Sequence, residues 1–331
     1  MEEKRCLERM MDVTALGELL IDFVHKGNNE FGSPIMHGNP GGAPCNFLCA
    51  LASCGEKTAF IGKVGDDAFG HMLKKTLDTH GIDTTGLVID PSVFTTLAFV
   101  TLDETGDRTF SFARKPGADT MLRPDEVRDE QLANTRVFHF GTLSMTNEPA
   151  RSATKQAVEK ARQNGAMITF DPNYRAPLWN SEEEAKEQIL WGIRHCDVLK
   201  ISKEELELVF QQNVEQGAET LLENGVKLAF VTLGKNGVYA KNRQASTTSP
   251  AFLELKTVDT TGAGDIFGGS AVYGVLASGK APETLTEDDL QKICQFANAM
   301  AGLSTTRSGG ITSVPKKQEA IAYLQQSGLW A

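Results

Sequence analysis

No stretch of this chain reaches the ~18 consecutive apolar residues that a membrane-crossing helix needs, so no span is expected. Basic residues are in deficit: 33 Lys and Arg stand against 43 Asp and Glu, a formal net charge of −10. Duplex nucleic acid requires a broad Lys/Arg footprint on its phosphates, so that class of partner is excluded. A local phosphate pocket is not. Cysteines are few, six in 331 residues, and form no dense disulfide frame. No secretory stretch precedes them, and a reduced cytoplasm is the expected compartment. Cys45 and Cys49 could share a helix face with Cys54 nearby. Their Cys-x3-Cys spacing lacks a second ligand pair for zinc, so small buried thiols are expected instead. A Gly-x4-Gly-Lys-Ser/Thr phosphate loop is missing, and so are protein-kinase signatures. The Gly-x-Gly at 262 has Phe267 where a dinucleotide fingerprint would have its third glycine.

What is present is a rhythm of strands and helices. The chain is long enough for one large α/β domain with ample core. Residues 1–11 read as a charged lead-in, and 13–23 as a first strand. Residues 25–40 read as a loop or short strands. Strands are expected at 58–64, 137–143, 166–170, 198–201, 227–233 and 238–241. Helices are expected at 68–79, 148–163, 182–194, 202–210, 264–278, 287–306 and 315–327. Asp66 and Asp67 are placed to cap the helix at 68, and Ser202 the helix it begins. Such repeats predict a mainly parallel sheet covered by helices on both faces. Residues 95–114 break the rhythm with a predicted hairpin turning at 103–107. Together with a segment near 22–38 it is expected to form a small β lid, and its edges are a candidate dimer contact. Phe112 and Arg114 could point from it into a cleft.

The most informative stretch is Asp259-Thr260-Thr261-Gly262-Ala263-Gly264-Asp265. Two glycines allow backbone N–H groups to approach a ligand closely. A helix starting here would aim unpaired N–H groups at an anion. Asp265 could then take a proton from an attacking hydroxyl one helical turn away. Upstream, Gly41-Gly42-Ala43-Pro44-Cys45-Asn46 has Pro44 suited to a first helical turn and glycines suited to close ligand approach. In parallel sheets, ligands sit beyond the carboxyl ends of the strands. Asp22, Asp171 to Arg175, Ser202 to Glu205, Gly234 to Gly237 and Gly262 to Asp265 all fall at such ends, which predicts one shared cleft.

The string at 259–265 resembles the C-terminal signature of the ribokinase-like (PfkB) carbohydrate kinase family, and Gly41 to Asn46 resembles its N-terminal signature. Residues 17–23 and 60–67 are similar to fructokinases, and 171–175 with Leu178-Trp179 resembles both fructokinases and 2-keto-3-deoxygluconate kinases. The resemblance covers roughly residues 12–315. It implies a three-layer ribokinase-like fold with a small β-sheet lid. The implied activity is ATP-dependent phosphorylation of a sugar's primary hydroxyl, fructose to fructose 6-phosphate.

By the same resemblance, Asp265 is the general base and Gly262, Ala263 and Gly264 form the anion hole. Asp22, Gly41, Gly42 and Asn46 contact the sugar, joined by Phe112, Arg114 and Arg175 as candidates. Ser202, Thr232, Gly234, Gly237, Asn298 and Gly309 lie on the nucleotide side, although Ser202 stands where the family has asparagine. Glu205 aligns as a residue behind the magnesium carried with ATP. Asp259, Thr261 and Ser313 match the places of a monovalent cation such as potassium. The alternatives are a 2-keto-3-deoxygluconate kinase, a ribokinase or nucleoside kinase, and a non-catalytic sugar sensor. The intact Asp265 motif argues against the last.

Overall fold

The protein is described here by a computed structural model covering residues 11–102 and 108–330. The expected lead-in, apart from Met11, lies outside the described residues, as do Cys6 and the hairpin turn at 103–107. The chain opens with β1 (Met11–Leu16), β2 (Leu20–Asn28) and β3 (Pro34–Gly41). It continues through α1 (Ala43–Ser53), β4 (Thr58–Gly65), α2 (Ala68–Thr79) and β5 (Asp83–Asp90). The hairpin β6 (Leu97–Leu102) and β7 (Arg108–Ala113) follows, then α3 (Asp129–Ala133), β8 (Thr135–Gly141) and α4 (Ala150–Gln163). Next come β9 (Met167–Asp171), α5 (Glu182–Arg194), β10 (Val198–Ser202), α6 (Lys203–Phe210) and α7 (Val214–Glu223). The last part holds β11 (Leu228–Thr232), β12 (Val238–Asn242), β13 (Ser246–Ser249), α8 (Ala263–Ser278), α9 (Glu287–Ser304) and α10 (Lys317–Gln326).

Nine strands form one sheet in the order β13-β12-β11-β10-β9-β8-β1-β4-β5. From β5 to β11 every pairing is parallel, and β12 and β13 add antiparallel strands at the edge. The central strands are apolar along their length because both faces are covered. Phe138, Phe140, Ile168, Phe170 and Leu199 pack with α4, α5 and α7 on one side. Val13, Ala15, Phe60 and Val64 pack with α1 and α2 on the other, where Phe230 and Val238 meet α8 and α9. A separate four-stranded sheet, in the order β3-β2-β6-β7, takes the two expected segments.

Helix starts follow the capping chemistry of their sequences. Asp67 accepts from Phe69 N and Gly70 N, both at 2.9 Å. Ser202 and Glu205 form a reciprocal capping box at α6. One expected element needs correction. The strand predicted over 13–23 is two strands in different sheets, joined by residues 17–19. Periodicity alone cannot see this break, because Leu19, Leu20 and Ile21 are all buried and the apolar run is continuous. Residues 25–40, read as a loop or short strands, are largely the paired strands β2 and β3.

Arg114 also departs from expectation. It does not face the cleft. Its Nε and Nη2 donate to Asp119 Oδ2 at 2.8 and 2.6 Å, Nη2 to Leu143 O at 2.8 Å, and Nη1 to Thr146 Oγ1 at 2.8 Å. The guanidinium spends its donors tying the end of β7 to the loop after β8. Both partners are buried. Removing one member of such a pair leaves a buried charge uncompensated. Asp119→Ala is therefore expected to lower stability by about 3–5 kcal/mol, read as a lower urea midpoint. An unchanged midpoint would contradict the anchoring role.

Candidate active site

The strand ends, the small sheet and the start of α8 enclose adjoining cavities. One of about 490 Å³ lies over Ser202, Thr232 and Gly234 and reaches Lys200, Gly264 and Asp265. A second, of about 160 Å³, lies under the small sheet between Asp22, Asn46, Phe112 and Asp265. A third, of about 360 Å³, extends past Gly237 to Asn298 and is walled by Phe252, Leu253 and Leu255. Asp265, Arg175 and Gly262 stand on the walls of both the first and the second. The expected single cleft is thus one chain of spaces with Asp265 at the junction.

Sequence explains how α8 is placed. Gly262 occupies its N-cap with φ 76°, a left-handed conformation suited to glycine, and no side chain caps the helix. Ala263 N donates to Thr260 O at 3.3 Å, and the first turn meets the cavity wall with no side chain across it. α8 is buried through Ile266, Phe267, Ala271, Val272 and Val275. Gly269 lets α1 come close: a Cβ there would lie 2.3 Å from Phe47 O. That approach brings Asn46 Nδ2 to Asp265 Oδ2 at 2.9 Å. Among the described residues no donor reaches the buried Asn46 Oδ1.

The floor of the cleft is crowded with carboxyls. Burial raises Asp265 above the ordinary range, while Lys200, the Asn46 hydrogen bond and Arg175 pull it down. Burial also pushes Asp171 up to about 7, with Lys200 pulling down and Glu205 and Asp265 pushing up. Lys200 Nζ lies 3.0 Å from Asp171 Oδ2. Burial would lower Lys200, but Asp171, Glu205 and Asp265 outweigh it and hold the ammonium charged. One ammonium thus faces three carboxyls. Sequence reasoning missed Lys200. The available signal was a lysine inside the apolar strand 198–202, two residues before the cleft-lining Ser202 and so on the same face. A Cβ on Gly264 would sit 3.2 Å from Lys200 Nζ, which places the cation against the bare start of α8.

Glu205 braces the loop after β9. Its Oε1 accepts from Tyr174 N at 2.7 Å and its Oε2 from Ser202 N at 2.8 Å. Asp171 Oδ1 accepts from Asn173 N, and Asn173 is held at φ 45°. Asn173, inside the stretch 171–175 marked from sequence but given no role of its own there, lines the first and second cavities. Asn298 Nδ2 donates to Ser249 O and Pro250 O at 3.2 and 3.0 Å, so it also supports the wall of the third cavity. Gly237 permits close packing, since a Cβ would fall 2.0 Å from Ser249 O. Gly41 is off the cavity wall and makes room for Asp22, whose Oδ2 would be 2.2 Å from a Cβ there.

The cation candidates meet at one loop. Asp259 Oδ1 accepts from Thr261 N and Thr261 Oγ1 at 3.0 and 2.7 Å, and Asp259 Oδ2 from Gly309 N at 3.1 Å. Ser313 Oγ donates to Gly310 O in the same loop. Among the described residues no cluster of His, Cys, Asp and Glu could hold a metal ion. Cys45, Cys49, Cys54, Cys196 and Cys294 are buried free thiols.

The family pattern described as pfkB family carbohydrate kinase matches residues 10–317. The chain is 40% identical to a fructokinase-2 of Solanum lycopersicum over 321 residues, covering 95% of this chain and 96% of that protein. The fold is similar to a fructokinase from Xylella fastidiosa with bound ATP, at TM-score 0.85 and 28% identity, covering 97% of this chain and 100% of that one. It is also similar to a double mutant of a Vibrio cholerae O395 fructokinase bound to fructose, ADP and potassium ion. There the TM-score is 0.84 and the identity 28%, covering 95% and 98% of the two chains.

Asp22 yields a test of the site's electrostatics. Burial pushes its carboxyl up to about 7, with Arg175 pulling down and Asp265 and Asp259 pushing up. A group whose folded pKa is raised contributes fully below its unfolded value and loses that contribution as pH rises through the folded value. Without ligand, the wild type should lose stability between about pH 4 and pH 8 by a term that Asp22→Asn lacks. Urea unfolding of both proteins across that range measures it. Parallel pH profiles would contradict the assignment.

Proposed function

The chain belongs to the pfkB family of carbohydrate kinases, and we propose that it transfers the γ-phosphoryl group of ATP to the primary hydroxyl of fructose, giving fructose 6-phosphate. The observation that carries this reading is Asp265 on the shared wall of two cavities, beside the uncapped start of α8. The larger cavity would take the triphosphate, with the base in the adjoining space past Gly237. The smaller would take the sugar beneath the small sheet, which then acts as a lid.

Each group has a physical task. Asp265 accepts the proton of the attacking hydroxyl. N–H groups at Gly262, Ala263 and Gly264 face the charge that builds on the transferring oxygens, where preorganised donors act without reorganising. Lys200 adds a fixed cation at the same place. Arg175, whose Nη1 donates to Tyr174 O, reaches both cavities and would screen the phosphate from the sugar-side carboxyls. Asp22 and Asn46 supply acceptors and a donor for hydroxyls. Asp22 also sets the substrate class: a buried carboxyl suits a neutral polyol and opposes an acid sugar such as ketodeoxygluconate.

Magnesium would enter with ATP and neutralise phosphate charge, as in phosphoryl transfer generally. Glu205 lines that cavity and each of its oxygens keeps a lone pair beyond its backbone N–H, so it fits a place behind the ion's water shell. The oxygens of Asp259, Thr261 and the 308–313 loop fit a monovalent cation that would stiffen the segment leading to the anion hole. Potassium is therefore expected to raise turnover over sodium or a bulky organic cation at matched ionic strength; equal rates would remove the cation role.

A coupled assay of ATP turnover over fructose, ribose, ketodeoxygluconate and adenosine tests the substrate. Fructose should give the highest kcat/KM, and preference for the acid sugar would overturn the reading. Asp265→Asn should lower kcat ~10²–10⁴-fold, as for positioned acid–base groups, with ATP binding retained. Wild-type kcat in that variant would exclude Asp265 as the base.

A further inference from the structure

Residues 17–19 carry the chain from β1 in the large sheet to β2 in the small one. In this link stands Glu18, whose residue is only 2% exposed and which has no role in the transfer described above. Its Oε1 accepts from Ala43 N, the first N–H of α1, at 2.7 Å. α1 has Gly42 at its cap position and no capping side chain of its own. Glu18 therefore supplies the missing cap from a distant part of the chain.

The backbones pack as closely as the side chains. A Cβ on Gly42 would lie 2.4 Å from Glu18 O, and one on Gly17 would lie 2.5 Å from Pro44 Cγ. The Cys45 thiol is 4.0 Å from Glu18 O. One turn into the same helix, Asn46 donates to Asp265 at 2.9 Å. Glu18 and Asp265 line one small cavity of about 10 Å³, together with His139 and Asp171. The link, the start of α1 and the base thus form one contiguous contact chain.

We propose that Glu18 is a positioning residue for phosphoryl transfer: set in the link between the two sheets, it holds the start of α1 and, through Asn46, keeps the Asp265 carboxylate in register with the small sheet. The proposal rests on Asp265 being the base. Burial holds the Glu18 proton up to about 8, so the side chain is a neutral acid whose Oε1 still accepts from Ala43 N. Glutamine reproduces that arrangement, with an amide N–H₂ in place of the acid O–H.

Steady-state kinetics with ATP and the best sugar, beside thermal unfolding, test this in Glu18→Gln, Glu18→Ala, Asn46→Ala and the double Glu18→Ala/Asn46→Ala. Glu18→Gln should keep kcat within about threefold, and Glu18→Ala should lower kcat ~10-fold or more with KM for ATP unchanged. The double variant should be no slower than Asn46→Ala, because both changes act on one carboxylate. Full kcat in folded Glu18→Ala, a raised sugar KM alone, or multiplying losses in the double variant would overturn the proposal. Should Glu18→Ala not fold, Glu18→Asp, one methylene short of Ala43 N, takes its place in the cycle with the same expectations. An Asp265→Asn protein with wild-type kcat would overturn the base assignment and this proposal together. Full kcat in Glu18→Ala beside an inactive Asp265→Asn overturns this proposal alone.

Discussion

Lys200 and Asp171, 3.0 Å apart at the ends of neighbouring strands, are the pair on which the cleft floor depends. Carboxyls removed from water are costly unless a cation or N–H donors face them. Here Asp171, Glu205 and Asp265 converge on a single buried ammonium. Its charge lets a potential base sit in a desolvated place without the cluster expelling it. Burial, with this crowding, holds Asp171 and Asp265 above the ordinary carboxyl range, which favours proton capture near neutral pH. The cation also stands beside the bare start of α8, where under the proposed function it would meet the charge of an incoming phosphate.

Close backbone approach is the second constraint. α1 and α8 come from residues far apart in sequence, yet Asn46 must reach Asp265. Gly269 removes the side chain that would hold the helices apart, and Gly42 does the same between α1 and the link at 17–19. A side chain at either place would collide with backbone, not with a mobile tip. Small residues thus let Asn46 and Asp265 meet at 2.9 Å. Arg114 works at the other margin of the small sheet, where its buried pairing with Asp119 fixes the end of β7 to the body of the protein.

Much of this was legible in the chain. The helix bounds 68–79 and 182–194 coincide with α2 and α5, because Asp67 and Ser181 mark their starts and both have clear apolar faces. The motif at 259–265 does begin a helix at a cavity wall. Other elements left weak signals. β5 carries Gly86 and two threonines and is half-exposed at the sheet edge. β13 is a four-residue polar edge strand, Ser246–Ser249. α7 contains Gly217, which is needed because Leu206 fills the space a side chain would take. Arg114 could not be placed from sequence because its partner Asp119 is an ordinary-looking acid in a loop. Lys200 could not be placed because its three carboxyl neighbours come from three separate segments.

The central claim is that a phosphoryl group and a sugar hydroxyl meet at Asp265, between the start of α8 and Lys200. A crystal structure with fructose and a non-hydrolysable ATP analogue tests it most directly. The account predicts the sugar's primary hydroxyl at hydrogen-bonding distance, roughly 2.6–3.2 Å, from an Asp265 carboxylate oxygen, with the terminal phosphate against Gly262 to Gly264 and the Lys200 ammonium. A sugar whose primary hydroxyl points away from Asp265, or a terminal phosphate held elsewhere in the cleft, would contradict it.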